Sequence, residues 1–343
     1  MDKKRSVSVS MVAKKAGVSP ATVSRILHGS TGVSEDKRKR VQEALDELGA
    51  MPRMRGLDNS SNKNRTIAVL IVSPDGLHTN SADLYRTILA VESILRSKRI
   101  DMIFGTIDEE AVLPRAVLAG KVDAVLLAGA DYPSRLRSML EGMPSLWLSS
   151  HHEGQSGFTL AGNEDIGRMA GDYLIERGHR HLAYFKIPDS HPVHGTRGEF
   201  FAFAASRAGA TVEYFRSEPT RLPGGDDVDW EALYEDVLKQ VQRLKAMKPR
   251  PTGAFVPVGM FVGLIYRALE ACGLRPGKDM EVICCEQNRP LIASLQPRPA
   301  RIQVDTHLVA QCAVEEIMRQ MEDPGAKARP IKISVAPQLI LGD

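Results

Sequence analysis

From Thr66 onward, short apolar runs alternate with amphipathic stretches of helical length. That alternation admits little besides strands of a parallel sheet joined by helices, so this part of the chain reads as α/β. The strand candidates are Thr66–Val72, Ile100–Thr106, Asp123–Ala128, Ser145–Ser149, His181–Lys186, Thr211–Phe215, Gly253–Pro257 and Met280–Cys285, with helical stretches at Ala82–Ser97, Asp165–Arg177, Val228–Met247 and Phe261–Cys272. Some eight strands are too many for one small doubly wound sheet, which predicts two sheets of the nucleotide-fold type with a cleft between them. The 343 residues agree, since at ~150 residues per domain they leave room for two domains and a small extra module. Hydrophobic residues make up 43% and charged residues 25%, which excludes disordered, collagen-like and coiled-coil chains. The longest apolar stretches, Ile67–Val72 and Val122–Ala130, fall short of the roughly 18 residues a membrane helix needs. The basic start Met1–Ser6 leads into no apolar segment of the export type, so the expected location is the cytoplasm and no membrane partner is expected.

Residues 1–49 have a different character: three short helical segments with almost no β-branched alternation. Residues 1–65 hold 14 Lys/Arg against 7 Asp/Glu, while the remaining 278 hold 31 against 35. The net +3 of the chain is thus concentrated at one end, as a polyanion-binding module requires. Within it, Ser8 is placed to cap a helix over 9–16, Gly17 to take the positive φ at its end, and Ser19-Pro20 to start a second helix. Val12, Ala16, Val18, Val23 and Leu27 are spaced to pack the pair together, leaving Thr22, Ser24, Arg25 and His28 as polar positions. Ser34 is placed to cap a third helix with an inner stripe of Val41, Ala44, Leu45 and Leu48. Two helices meeting at a four-residue turn are the layout of a helix-turn-helix, whose second helix enters the major groove. A small helical cap on the α/β body is the alternative, and the tight turn, the two caps and the charge favour the first reading.

The stretch Ala13…Ala16-Gly17-Val18-Ser19…Thr22-Val23-Ser24-Arg25, with Val33-Ser34 and the Arg40–Leu48 helix, closely resembles the DNA-binding headpiece of LacI/GalR-type bacterial transcription regulators. The resemblance continues through Arg65–Leu70, Gly162-Asn163-Glu164, Leu174-Ile175, Gly178–Tyr184 and Arg197…Gly209, and so spreads over nearly the whole chain. It implies an all-α helix-turn-helix headpiece (1–49), a hinge or linker (50–65), and an α/β two-subdomain, periplasmic-binding-protein-like body (66–343). The subdomains are placed at about 66–162 with 300–322 and about 163–299 with 323–343. The implied partners are double-stranded DNA with a pseudo-palindromic operator, a small-molecule effector, and a second copy in a homodimer. Carried over by position, Pro20, Ala21 and Arg25 fall where the family reads base edges, and Ser19, Thr22, Ser24, His28 and Ser34 at or near phosphate-facing positions. The chemistry agrees, because Arg25 is able to bond guanine O6 and N7 together, whereas Pro20 and Ala21 offer only apolar contact.

Two regions depart from the family pattern. In the hinge, Pro52 is followed by Arg53, and the position seven beyond the proline, where relatives place a leucine wedged into the minor groove, is Asn59. Leu57 is the remaining candidate wedge, expected to insert only in the DNA complex, with a plain tether as the alternative. In the cleft, sugar-responsive relatives present Asn-Asp after the strand matching Gly253–Pro257 and two aspartates after that matching Met280–Cys285, where this chain has Val258-Gly259 and Glu286-Gln287. A buried hydroxyl without a partner costs about 1–3 kcal/mol, so a conventional sugar is doubtful. Arg197 matches the family's cleft arginine, with a surface ion pair as its other reading. Asp75, Glu286, Gln287 and Asn288 lie on loops after strands, where open α/β sheets bind ligands.

No cofactor and no metal site is expected. Cys272, Cys284, Cys285 and Cys312 lack CxxC spacing, and His151-His152-Glu153 has no third ligand at a fixed distance. Without a P-loop, a GxGxxG after a strand or a GxSxG elbow, no common sequence-readable enzyme class fits. The expected function is a DNA-binding transcription regulator, a repressor controlled by a small molecule. The alternatives are an effector-independent regulator, or a solute-binding protein or enzyme that shares the fold.

Overall fold

The computed structural model describes residues 9–27, 33–47, 65–72, 82–107, 113–129, 136, 139–140, 142–148, 162–187, 192–220, 228–285, 289–323, 325, 331 and 333–343. They fall into two compact units, one within residues 1–64 and one spanning 65–343.

The first unit holds three helices: α1 (Val9–Ala16), α2 (Pro20–Leu27) and α3 (Glu35–Glu47). Its core is Val12, Ala13 and Ala16 from α1, Val23 from α2, and Val41 and Ala44 from α3, with Val18 and Ile26 packed against them. Val12, Ala16, Val18, Val23, Val41 and Ala44 were expected there, while Ala13 and Ile26 join them unexpectedly; the side chains of Leu27, Leu45 and Leu48 lie outside the described residues, as does the expected cap Ser8.

The second unit is built on two sheets. Strands β1 (Thr66–Val72), β2 (Asp101–Ile107), β3 (Ala124–Gly129) and β4 (Ser145–Trp147) form an all-parallel sheet in the order β2-β1-β3-β4. Alternate residues of β1 feed two separate cores. Ile67, Val69 and Ile71 meet α4 (Ala82–Ser97), while Ala68, Leu70 and Val72 meet Val117 of the short α5 (Arg115–Leu118) and its surroundings. A sheet covered on both faces needs strands that are apolar throughout, which is why β1 reads as an unbroken hydrophobic run.

The chain then passes to α6 (Asn163–Glu176), β5 (His181–Lys186), α7 (Pro192–Arg207), β6 (Thr211–Arg216), α8 (Trp230–Ala246) and β7 (Gly253–Val256). After β7 follow a single 3-10 turn at Gly259–Phe261, α9 (Val262–Ala271), β8 (Glu281–Cys285), α10 (Arg289–Ala293) and β9 (Ala300–Gln303). With β10 (Gln338–Ile340), which runs antiparallel, these strands form a second sheet in the order β10-β9-β8-β7-β5-β6. Helices α6 and α7 cover one face through Ile166, Leu174 and Phe201, and α8 and α9 the other through Val237, Val241, Ile265 and Leu269.

Between β9 and β10 the chain returns to the first sheet as α11 (Thr306–Glu322), which packs its Val309, Ala313 and Ile317 into the core shared with α4. The subdomain limits therefore need correction. Residues 300–303, expected with the first sheet, hydrogen-bond to β8 in the second, and the crossing falls at Val304, which packs against cores of both sheets. Val335 and Ile333, expected with the second sheet, pack on the first. Among the described residues no helix is long and apolar enough to cross a membrane.

Candidate nucleic-acid interface and ligand cleft

In the first unit the turn between α1 and α2 is fixed by local chemistry. Gly17 has φ 64°, a left-handed conformation open to glycine at little cost, and Val18 N–H donates to the Ala13 carbonyl at 3.0 Å, closing α1. Ser19 caps α2: the Thr22 N–H donates to Ser19 Oγ at 3.1 Å, and the two hydroxyls lie 2.9 Å apart. The Thr22 side chain is thus held by Ser19 before any partner arrives. From α3, Arg40 donates through Nη2 to the Gly17 carbonyl at 3.2 Å, tying the third helix to the turn. This contact joins residues 23 apart, and no local pattern in the sequence signals it.

Val23 faces the core, so the exposed residues of α2 are Pro20, Ala21 and Arg25, with Thr22 half-buried. Ser19 and Ser34 are also exposed. The Ser24 side chain, and all of His28 and Leu57, lie outside the described residues. Among the described residues the unit thus offers an open face of α2 bearing Arg25, and Lys37, Lys39 and Arg40 are exposed on α3. Cations beside a helix of groove-filling width can hold phosphates and aim a fork-shaped donor at base edges.

In the second unit, Arg197 stands on the second turn of α7 and is buried. Its Nε donates to Asn163 Oδ1 at 3.0 Å and its Nη1 to the Pro257 carbonyl at 2.6 Å. These bonds place the guanidinium at the start of α6 and just beyond the carboxyl end of β7. The reading of Arg197 as a surface ion pair fails, because it is neither exposed nor, among the described residues, paired with a carboxylate. Asn163 and Pro257 lie 34 and 60 residues from Arg197, and no local spacing announces them. Asp75, Glu286, Gln287 and Asn288 lie outside the described residues, as do His151, His152 and Glu153.

The connectivity marks the same place. Strands β5 and β6 run outward on one side, and the chain then returns to lay β7, β8 and β9 on the other side of β5. The direction of winding reverses between β5 and β7, beside Pro257, and ligands of open α/β sheets bind at such a switch point. A further cavity, lined by Tyr173, Arg177, Glu281, Arg298 and Asp343, lies at the amino ends of β8 and β9, the opposite end from that switch point.

Residues 9–52 match bacterial regulatory proteins of the lacI family, and residues 172–343 match a periplasmic binding protein-like domain. The HTH-type transcriptional repressor PurR of Erwinia tasmaniensis is 30% identical over 281 residues, 79% of this chain and 78% of that protein. The HTH-type transcriptional regulator GntR of Pseudomonas aeruginosa is 33% identical over 209 residues, 58% of each protein. Among solved structures, the lac repressor dimer bound to operator and the anti-inducer ONPF has a TM-score of 0.67 at 20% identity, covering 98% of each chain, a likeness of fold. An open helix-turn-helix face in one unit, a doubly wound two-sheet body in the other, and these matches lead to one assignment: the chain belongs to the lacI family of bacterial regulatory proteins and is a DNA-binding transcription regulator.

Proposed function

We propose that this regulator is a repressor that binds a pseudo-palindromic operator as a homodimer in the cytoplasm, and that a small molecule held between its two α/β subdomains controls its occupancy. The observation that carries the reading is the α1–α2 turn, closed by Gly17, Ser19 and Arg40 and leaving Arg25 open on α2. One such helix reads too few base pairs for a selective site, and a twofold pair reads inverted half-sites. The family relationship supports the dimer, since the lac repressor binds its operator as one.

In this reading Pro20, Ala21 and Arg25 contact bases, Ser19, Thr22, Ser24, His28 and Ser34 approach phosphates, and Leu57 enters the minor groove once DNA is bound. Arg197, with Asp75, Glu286, Gln287 and Asn288, contacts the effector. The effector acts only if it binds the two arrangements of the subdomains with different affinity.

A gel shift with genomic fragments at two salt concentrations tests this. The expected result is a few preferred fragments whose binding weakens steeply with salt, with Leu57→Ala reducing both affinity and bending of those fragments. No preferred fragment at either salt would favour a solute-binding protein or enzyme on the same fold.

A further inference from the structure

Within the helix-turn-helix, one peptide unit governs how α2 leaves α1, and it is gripped at both poles. The N–H of the Gly17–Val18 peptide donates to the Ala13 carbonyl of α1 at 3.0 Å, and its C=O accepts from Arg40 Nη2 of α3 at 3.2 Å. The next residue is Ser19, the cap of α2. Glycine opposes rotation of an adjoining peptide less than any other residue, and Gly17 stands at φ 64°. Held by the Ala13 bond alone, this peptide could pivot about its N–H and swing α2 with it. The guanidinium of Arg40 removes that freedom.

Apolar packing does little to hold α2 in its place. Among the described residues its share of the core is Val23, with Ile26 packed against it, whereas α1 supplies Val12, Ala13 and Ala16. A helix held through so few side chains takes its direction from the turn before it. Arg40 has a weaker tie elsewhere: its contact with Asp36 spans 3.9 Å between side chains 46% and 79% exposed, and exposed pairs of this kind contribute little.

We infer that Arg40 is a positioning residue for site selection: by holding the Gly17 carbonyl it fixes the direction of α2, and so the aim of Arg25, without touching a base itself. This rests on the reading of α2 as the helix that selects the operator and adds the residue of α3 that sets its course. The planar fork of an arginine must meet guanine O6 and N7 together, so a swing of α2 breaks that contact before it disturbs looser contacts to phosphate.

The test measures the affinity of the full chain for the preferred genomic fragment and for a scrambled duplex of equal length, at several salt concentrations. The proteins compared are the wild type, Arg40→Gln, Arg40→Lys, Arg25→Ala and the Arg25→Ala/Arg40→Gln double variant. Arg40→Gln is expected to lower the operator-to-scrambled ratio roughly 3- to 30-fold, with the salt slope on the scrambled duplex unchanged. Arg40→Lys, which keeps the charge and shortens the reach, should recover part of the ratio. In the Arg25→Ala background, loss of the Arg40 guanidinium should change the ratio by less than about twofold, since nothing is left to aim. An equal loss on both duplexes with the slope reduced by about 0.9 per contact makes Arg40 a phosphate ligand. An equal loss at unchanged slope makes it a residue of stability alone, and equal effects on the ratio in both backgrounds uncouple it from Arg25. Each of these results overturns the inference. If Arg40→Gln does not fold, Arg40→Lys decides by the same criteria, alone and combined with Arg25→Ala. A wild type with no preferred fragment, or Arg25→Ala at the wild-type ratio, ends the reading of α2 and the role of Arg40 with it. A lowered ratio in Arg25→Ala beside an unchanged one in Arg40→Gln removes Arg40 alone.

Discussion

Glu281, at the amino end of β8, shows how a single residue ties an edge of the second sheet together. Its carboxylate accepts from Tyr173 at 2.6 Å and from His179 Nε2 at 2.9 Å, and pairs with Arg177. Burial pushes this carboxyl up, but the hydrogen bonds from His179 and Tyr173 and the charges of Arg177 and His179 outweigh it and hold it below its ordinary value. On the other side of the bond, burial and the nearby carboxylate push the Tyr173 phenol up to about 12. A carboxylate whose folded value is depressed stabilises the fold above its unfolded value, and that contribution is lost as pH falls through the folded value. Glu281→Gln is therefore expected to lower stability at neutral pH by about 1–3 kcal/mol and to flatten the acid side of the stability curve below the ordinary carboxylate range. Urea unfolding at several pH values measures this, and parallel acid limbs for the two proteins would show that Glu281 does not titrate with folding. None of this was legible in the sequence, where Tyr173, His179 and Glu281 stand up to 108 residues apart.

At the scale of elements, the hydrophobic pattern located most strands to within a residue or two, and Ala82–Ser97 and His181–Lys186 end where their periodicity ends. It failed at β9 and β10. These have four and three residues, and β10 is exposed along much of its length, so neither presents an apolar run long enough to notice. The same blindness misplaced the subdomain crossing, because the six residues before α11 divide among a four-residue strand, the packed Val304 and the helix cap Asp305. The contact of α6 with α7 was hidden for another reason: it is made by what glycine lacks. A Cβ on Gly167 would lie 2.2 Å from the Arg197 carbonyl, and one on Gly171 would lie 2.7 Å from the Ala204 Cβ. Helices that approach this closely admit no added methyl without moving apart. Gly167→Ala is expected to lower stability by about 1–3 kcal/mol or more, seen as a lower urea midpoint at unchanged slope. An unchanged midpoint would mean that the two helices separate at little cost.

At the scale of the whole molecule, a charge-rich, DNA-reading helical unit precedes a body built on two wound sheets. The reading unit was the more legible half, because caps, a glycine turn and a short apolar stripe act over a few residues and leave a local pattern. The cluster around Arg197 was the less legible, because Asn163, Arg197 and Pro257 meet only once the second sheet has wound. The family resemblance drew attention to Arg197, while its burial and its neutral partners came from the fold. The central claim is that α2 reads sequence through Arg25, and it is tested most directly by comparing the wild type and Arg25→Ala on the preferred operator fragment and on a scrambled duplex of equal length. A bidentate contact to guanine contributes about 1–3 kcal/mol of discrimination, so the operator-to-scrambled affinity ratio should fall by roughly 5- to 150-fold, with binding to the scrambled duplex changed far less. If Arg25→Ala keeps the wild-type ratio, α2 does not select the site in the way described.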